Sequence, residues 1–335
     1  MNILVCGGAG YIGSHCVRML EREGHTPVVY DNLVYGHREA VEGSLFFEGD
    51  ISDRSRLAGI LAERKIDLVM HYAAYAYVGE SVENPRKYYL NNVAATLNLL
   101  EAMLDAGVDR IIFSSSCSTY GIPHSPEIEE SHPQDPINPY GMTKFIIERV
   151  LEDYRRAYGL KYVSVRYFNA AGADPAGEIG EDHDPETHLI PIVLQTALRQ
   201  RPHVRIFGTD YETPDGTCIR DYIHVNDIAE AHVIAMNYLV RGGDSGAFNL
   251  GNGKGYSVRE VVETARKITG CPISALEVGR RLGDPARLVA AADRALRVLG
   301  WKPRFPTLEN ILSTAWKWHS GHPMGFRTHK TTARR

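Results

Sequence analysis

An apolar run, Ile3-Leu4-Val5, leads into Gly7-Gly8-Ala9-Gly10-Tyr11-Ile12-Gly13, and a helix-length segment follows. Glycines three apart at a strand-to-helix junction leave little freedom in what can be built there. Gly7 permits a tight turn, Gly10 lets the backbone approach a bound group without a clashing Cβ, and Gly13 permits close helix-to-sheet packing. The helix N-terminus then presents unpaired N–H groups to an anion such as a pyrophosphate.

The next apolar run, Pro27-Val28-Val29-Tyr30, ends in Asp31. An acid at that strand end accepts hydrogen bonds from ribose hydroxyls and repels a 2′-phosphate. No arginine stands between Gly7 and Gly13 or directly after Asp31, so the predicted dinucleotide is NAD rather than NADP.

Further apolar runs recur at 45–47, 68–73, 111–114 and 162–168, separated by helix-length segments or turns. Strands that read as continuously apolar belong to a parallel sheet covered on both faces. The predicted fold class is therefore α/β, a doubly wound parallel Rossmann-type sheet over 1–170, with later segments returning to it. A Gly, Asp and Pro-rich loop over 172–185 opens a smaller C-terminal α/β lobe at 171–321. Within it, helices are expected at 189–199 and 258–268, and strands at 204–207, 222–225 and 247–250. The basic end, 322–335, is expected to be a disordered tail.

With 335 residues, 44% of them hydrophobic, the chain has the composition of a globular protein. A net charge of −4 gives no reason to attract nucleic acid. No apolar run is long enough to span a bilayer. The five cysteines are odd in number and scattered, and the chain enters a strand pattern at once with no room for a signal peptide, so a cytoplasmic location is expected. The 14 histidines contain no His-Glu-x-x-His and no cluster at metal-ligand spacing, so no metal is expected. His71 and His224 read as packed or hydrogen-bonded, and Cys117 as an inert small side chain.

Chemistry enters with Asn138-Pro139-Tyr140-Gly141-Met142-Thr143-Lys144, at the start of a helical run. Residues four apart on a helix share a face. A phenol with a pKa near 10 is only about one part in a thousand ionised at neutral pH, and lowering that pKa by three units takes roughly 4 kcal/mol. Lys144, with the cationic ring of oxidised NAD, is expected to supply it and make Tyr140 a base. A hydroxyl at the end of the strand Ile111-Ile112-Phe113, for which Ser116 is the choice, lies on the ligand-binding edge of such a sheet. Tyr-x-x-x-Lys alone is a common exposed pair; in the company of the glycine loop and the serine strand it points to carbinol oxidation.

These elements resemble the extended short-chain dehydrogenase/reductase superfamily and, within it, the UDP-glucose 4-epimerase family. The likeness rests on the 7–15 run, Asp31-Asn32-Leu33, Gly79-Glu80-Ser81-Val82, Asn91-Asn92-Val93, Asn138-Pro139-Tyr140-Gly141, Arg166-Tyr167-Phe168-Asn169-Ala170-Ala171-Gly172, the 215–225 segment and Arg280-Arg281-Leu282-Gly283-Asp284. The resemblance implies that Tyr11, Ile12, Asn32, Leu33, Gly36, Asp50, Ile51, Tyr72, Ala73, Ala74, Ala76, Asn91, Ser114 and Phe168 line the dinucleotide beside Gly7, Gly10, Gly13, Asp31, Tyr140 and Lys144. It also implies that Ser116, Tyr140, Asn169, His188, Leu189, Ile206, Phe207, Arg220, Arg281 and Asp284 hold a UDP-sugar. Arginine suits the two-pronged grip on a pyrophosphate.

Three positions depart from the family pattern. Ala76 stands where some members carry a lysine near the NAD phosphates, His188 where asparagine is frequent, and Leu288 where a residue sizes the sugar pocket. The implied activity is NAD-dependent 4-epimerisation of a UDP-hexose through a transient 4-keto sugar. Alternatives are the same reaction on a UDP-N-acetylhexosamine or UDP-pentose, a nucleotide-sugar dehydratase or reductase, and a non-catalytic NAD-binding protein. A dehydratase would carry an acid pair where Cys117 and Ser118 stand. A homodimer is expected by resemblance, through 85–106 and 140–158.

Overall fold

In the computed structural model, which describes residues 1–281 and 284–326, β1 (Asn2–Cys6) turns through the glycine run into α1 (Tyr11–Arg22) and returns as β2 (Thr26–Asp31). β3 (Leu45–Glu48), α2 (Arg54–Glu63) and β4 (Leu68–His71) follow. The segment 85–106, expected to form a dimer face, is helical throughout and widens in its middle. After α3 (Val78–Glu83) come α4 (Pro85–Tyr88), a π-helical turn at Tyr89–Ala94 and α5 (Ala95–Ala106). Widened turns of this kind favour functional sites, and this one presents Asn91 to the sheet edge.

β5 (Arg110–Ser116) precedes α6 (Pro139–Tyr158). α6 starts at Pro139 because Asn138 Oδ1 accepts a hydrogen bond from the Gly141 N–H at 2.9 Å and proline suits the first helical position. It ends at Gly159, whose φ of +76° is the left-handed conformation glycine adopts most easily. β6 (Lys161–Tyr167), β7 (Asn169–Ala171), α7 (Leu189–Ala197), β8 (Val204–Phe207), β9 (Ile219–His224), α8 (Val225–Val240) and β10 (Gly246–Leu250) come next. The described chain closes with β11 (Gly255–Ser257), α9 (Val258–Thr269), β12 (Ala275–Val278), β13 (Arg287–Leu288) and α10 (Leu308–Gly321).

Seven strands form one parallel sheet in the order β10-β6-β5-β4-β1-β2-β3. Alternate residues serve opposite faces. Leu4, Val28, Val69 and Ile111 pack under Leu57, Leu99, Leu100, Ile147 and Leu151 from α2, α5 and α6. Ile3, Val5, Val29, Met70 and Ile112 pack under Val17, Leu20, Ile228 and Met236 from α1 and α8. Strand order reverses between β1 and β4, and a crevice opens outside their carboxyl ends, the usual ligand position in open α/β sheets. Segments after 171 return to this sheet: β10 is its edge strand and α8 packs beside α1.

The second lobe has its own apolar core, with Ile190, Val193 and Leu194 of α7, Val261, Val262 and Ala265 of α9, and Leu308, Ile311 and Leu312 near the start of α10. β9 is its hub, pairing with β7 and β13 in parallel and with β11 antiparallel. The expected tail needs a correction at its start. The Phe326 N–H donates to Asp182 Oδ2 at 2.9 Å and its ring stacks on His37 at 4.9 Å, so 322–326 pack on the body. Residues 327–335 lie outside the described residues.

Candidate active site

The glycine run is shaped by backbone crowding. Gly7 has φ +75°, and a Cβ there would stand 2.5 Å from the Ala73 nitrogen. One on Gly13 would stand 2.2 Å from the Gly7 carbonyl oxygen. Gly10 caps α1 with no side-chain hydrogen bond, so the first N–H groups of that helix receive no side-chain acceptor. Asp31 ties the loop down: Oδ2 accepts from the Ala9 N–H at 2.9 Å and Oδ1 from the Leu33 N–H at 2.8 Å. Burial raises the pKa of this carboxyl, while those N–H contacts pull it back.

A cleft of about 540 Å³, partly open to solvent, lies over this loop. Gly7, Gly10, Asp31, Asn32, Gly36, Ile51, Tyr72, Ala73, Ala74 and Asn91 line it together. Tyr75 lines it as well, as do Tyr30, Val34, Tyr35 and Gly49, which were not anticipated. The other expected residues stand behind or beside it. Ile12 and Leu33 pack onto the first core, Asp50 accepts from Asn32 Nδ2 at 2.8 Å, and Ala76 is exposed. The Tyr11 hydroxyl donates to the Gly172 carbonyl at 2.6 Å, tying α1 to the second lobe. Lys87, unmarked in sequence, reaches the cleft wall. Its Nζ donates to the Tyr35 hydroxyl at 3.2 Å and lies 4.2 Å from the centre of the Tyr75 ring.

Ser114 and Ser116 end β5, and Tyr140 and Lys144 occupy the first turns of α6; all four side chains are buried. Lys144 Nζ donates to the Ser114 carbonyl at 2.7 Å, and Ser114 Oγ lies 2.5 Å from the Tyr167 hydroxyl. Burial drives the Tyr140 phenol well above the ordinary tyrosine range, Tyr167 adds to this, and a hydrogen bond with Ser116 opposes it. Burial also drives Lys144 down to about 7, against the pull of Glu148. The expected help to a phenolate comes from Lys144 together with the cationic NAD ring; in the protein itself desolvation governs both groups.

Behind the serine strand lies a buried network that sequence did not reveal. Glu148 and Arg166 form an ion pair with both side chains 7% exposed. Ser115 Oγ donates to Glu148 Oε1 at 2.5 Å, Arg166 Nη1 to the Tyr120 hydroxyl at 2.8 Å, and that hydroxyl to Asn249 Oδ1 at 2.6 Å. Arg166 falls within a motif already noted, but its partners Glu148, Tyr120 and the Glu130 carbonyl come from three other segments.

Most of the residues expected to hold the UDP-sugar lie in the second lobe. Arg220 Nη1 donates to the carbonyls of Ile219 and Pro285 at 2.9 Å, and its Nη2 lies 3.7 Å from Asp284 Oδ1. Leu288 pairs with Arg220 across β13 and β9 and packs against the cluster of Cys117, Tyr120, Ile128, Phe168 and Ala290. The Arg281 guanidinium sits 4.4 Å from the centre of the Phe207 ring. Ile206 is buried within β8, Asn169 opens β7, and His188 caps α7 ahead of Leu189. Cys117, next in the chain to Ser116, shares a cluster with Leu288, whose strand pairs with that of Arg220. Burial pushes the Cys117 thiol up to about 12, the behaviour of an inert thiol. His71 meets Thr96 and His224 meets Thr314, each at 2.9 Å.

One grouping was passed over in sequence. Glu181, His183, Glu186 and His188 converge, each offering a ligand atom within 4.8 Å of the others. The Glu-x-His-x-x-Glu-x-His spacing was visible, but its loop setting gave no helical face by which to recognise it.

A glycine cradle under an acidic strand end, with a Tyr-x-x-x-Lys helix and a serine strand at the same sheet edge, defines a dinucleotide-dependent enzyme of the short-chain dehydrogenase/reductase type. The profile of the NAD dependent epimerase/dehydratase family matches residues 3–251, and the chain belongs to that family. It is 55% identical to a UDP-glucose 4-epimerase of Halalkalibacterium halodurans over 98% of both chains. It is also similar to the crystal structure of UDP-glucose 4-epimerase from Brucella ovis in complex with NAD, at 51% identity and TM-score 0.92, covering 94% of this chain and 97% of that one. The enzyme from Bifidobacterium longum in complex with NAD+ and UDP is similar at 37% identity and TM-score 0.92, covering 97% of this chain and 100% of that one. Among the described residues no helix is long and apolar enough to cross a membrane.

Proposed function

We propose that this chain catalyses NAD-dependent 4-epimerisation of a UDP-hexose, interconverting UDP-glucose and UDP-galactose through a transient 4-keto sugar. The observation that carries the reading is the position of Tyr140, Lys144 and Ser116: they are buried together at the sheet edge, a 3.1 Å hydrogen bond from Asn92 Nδ2 to Thr143 Oγ1 ties their helix to the turn whose Asn91 lines the cleft, and Cys117 beside Ser116 packs with Leu288, which pairs with Arg220. The names of the relatives give the substrate class.

The cradle fits a dinucleotide. A Cβ at Gly7 or Gly13 would collide with the loop that shapes it, and Asp31 keeps lone pairs for a ribose while its backbone contacts hold it still. When bound, NAD supplies a reversible hydride acceptor and brings a cationic ring to the phenol. Tyr140 takes the proton of the 4-hydroxyl and returns it, and Ser116 hydrogen-bonds the reacting oxygen. Lys144, anchored on Ser114, is the nearby group able to carry positive charge. Arg220, Arg281 and Asp284 grip the UDP moiety, and Leu288 borders the space for the sugar.

Inversion requires the keto sugar to present its other face before reduction, so binding energy must come from the non-reacting UDP while sugar contacts stay weak. Both arginines are accordingly assigned to UDP. A homodimer through 85–106 and α6, where Leu90 is 56% exposed, and a cytoplasmic location complete the reading. Incubation with UDP-galactose and no added NAD tests it. UDP-glucose should accumulate without free NADH; no 4-epimer, or stoichiometric NADH release, would rule the reading out.

A further inference from the structure

We propose that Glu181, His183, Glu186 and His188 form a binding site for a zinc-class divalent cation in the loop that leads into α7, with His188 serving the ion rather than the UDP-sugar. The proposal goes beyond the assigned reaction and stands independently of it.

The spacing of the donor atoms is the first observation. His188 Nδ1 lies 2.6 Å from Glu181 Oε1 and 3.5 Å from Glu186 Oε1, and His183 Nδ1 lies 3.2 Å from Glu181 Oε1 and 3.8 Å from Glu186 Oε2. Donors about 2.05 Å from a tetrahedral ion stand about 3.3 Å from one another. The four donor atoms lie within 4.8 Å of one another, and moving His188 and Glu181 apart by under about 1 Å brings that pair to the spacing of tetrahedral ligands.

Burial and charge are the second. The Glu181 and Glu186 side chains are 3% and 2% exposed, and among the described residues their ion-pair partners are these two histidines alone. Two buried carboxylates need two positive charges. One divalent ion with neutral imidazoles supplies them, as do two imidazolium ions. The first arrangement is favoured by His183 Nδ1, a buried atom that faces both carboxylates at 3.2 and 3.8 Å without a well-aligned hydrogen bond to either. A lone pair directed at a metal leaves no such orphan.

The surroundings have the form of a metal site's outer shell. Glu186 Oε1 accepts from the N–H groups of Thr187 at 2.7 Å and His188 at 2.8 Å, which fixes the carboxylate and leaves Oε2 for the ion. The Glu181 carbonyl accepts from Trp318 Nε1 at 3.2 Å, anchoring the loop to α10. Two imidazoles and two carboxylates are an N/O set suited to zinc and cobalt rather than to calcium or magnesium. With four protein ligands the site is closed, so its role is structural: it fixes His188 and the start of α7.

The test uses the full chain after removal of metals with a chelator, and cobalt(II) as the probe. One cobalt per chain should bind with the intense visible bands of tetrahedral coordination, and zinc should displace it. His183→Ala and Glu186→Gln should each weaken cobalt binding by more than about 100-fold, since losing an outer-shell partner alone costs 10–100-fold. No tetrahedral spectrum in the native chain, or binding unchanged in the variants, overturns the proposal. Should the variants fail to fold, X-ray absorption of the zinc-loaded native chain decides: a shell of nitrogen and oxygen with two imidazoles supports the site, and sulfur or a hexa-aquo-like shell rejects it.

Discussion

The ammonium group of Lys144 donates to the carbonyl of Ser114 at 2.7 Å and lies 5.9 Å from the centre of the Tyr140 ring. The lysine is thereby fixed to the strand that ends in Ser116, one helical turn from the phenol it serves. With burial holding Lys144 near 7 and Tyr140 far above neutrality, the resting pair at neutral pH is a neutral phenol beside a lysine that is about half protonated.

Replacing Tyr140 by Phe removes the proposed base and little volume. Turnover should fall by about 10²–10⁴, the usual worth of a general acid–base group. UDP affinity, measured by calorimetry, should stay within about twofold. A turnover number near that of the native chain would remove Tyr140 from the mechanism.

Lys144 also leaves a signature in stability. Its folded pKa of about 7 lies below the unfolded value of 10.5, so between those values the unfolded chain holds a proton that the folded chain has released. Unfolding free energy from this group must therefore rise with pH across that window and be lost as pH falls through 7. In urea titrations of the NAD-free protein, native stability should gain about 2–3 kcal/mol relative to Lys144→Met between pH 7 and 9. Parallel pH profiles would contradict it.

The glycine loop gives two outcomes that differ by position. Gly13→Ala places a Cβ 2.2 Å from the Gly7 oxygen and should cost about 1–3 kcal/mol of stability in addition to NAD binding. Gly10→Ala meets that oxygen at 3.4 Å and borders the cleft, so it should leave the melting temperature nearly unchanged while weakening NAD. Melting curves with and without NAD separate the two.

Removing one partner of the Glu148–Arg166 pair should destabilise by about 3–5 kcal/mol, because it strands a buried charge. Arg166→Met with Glu148→Gln should cost less than the sum of the single changes. Additive losses in chemical denaturation would show that the pair is not coupled.

The parallel sheet was legible because Val28, Val29, Val69 and Ile112 are apolar on both faces and the glycines sit where strand becomes helix. The Tyr140 helix was legible from its spacing, and its start at Pro139 follows from the Asn138 cap. What sequence hid were meetings between distant segments. Arg166 finds Tyr120 and Glu148, Lys87 finds Tyr35, and Phe326 reaches back to His37 from an end that reads as a polar tail. Nothing local in those residues encodes the partner. Leu288 belongs to the same class: only the pairing of β13 with β9 brings it to Phe168 and Cys117.

The most direct measurement follows a label. UDP-galactose carrying deuterium at C4 is converted by the chain with no NAD added, and the product is read by NMR. Deuterium retained at C4 of UDP-glucose is the result expected if hydrogen leaves and returns within one bound complex. Deuterium lost to solvent, or found in free NADH, would contradict an epimerisation by internal oxidation and reduction.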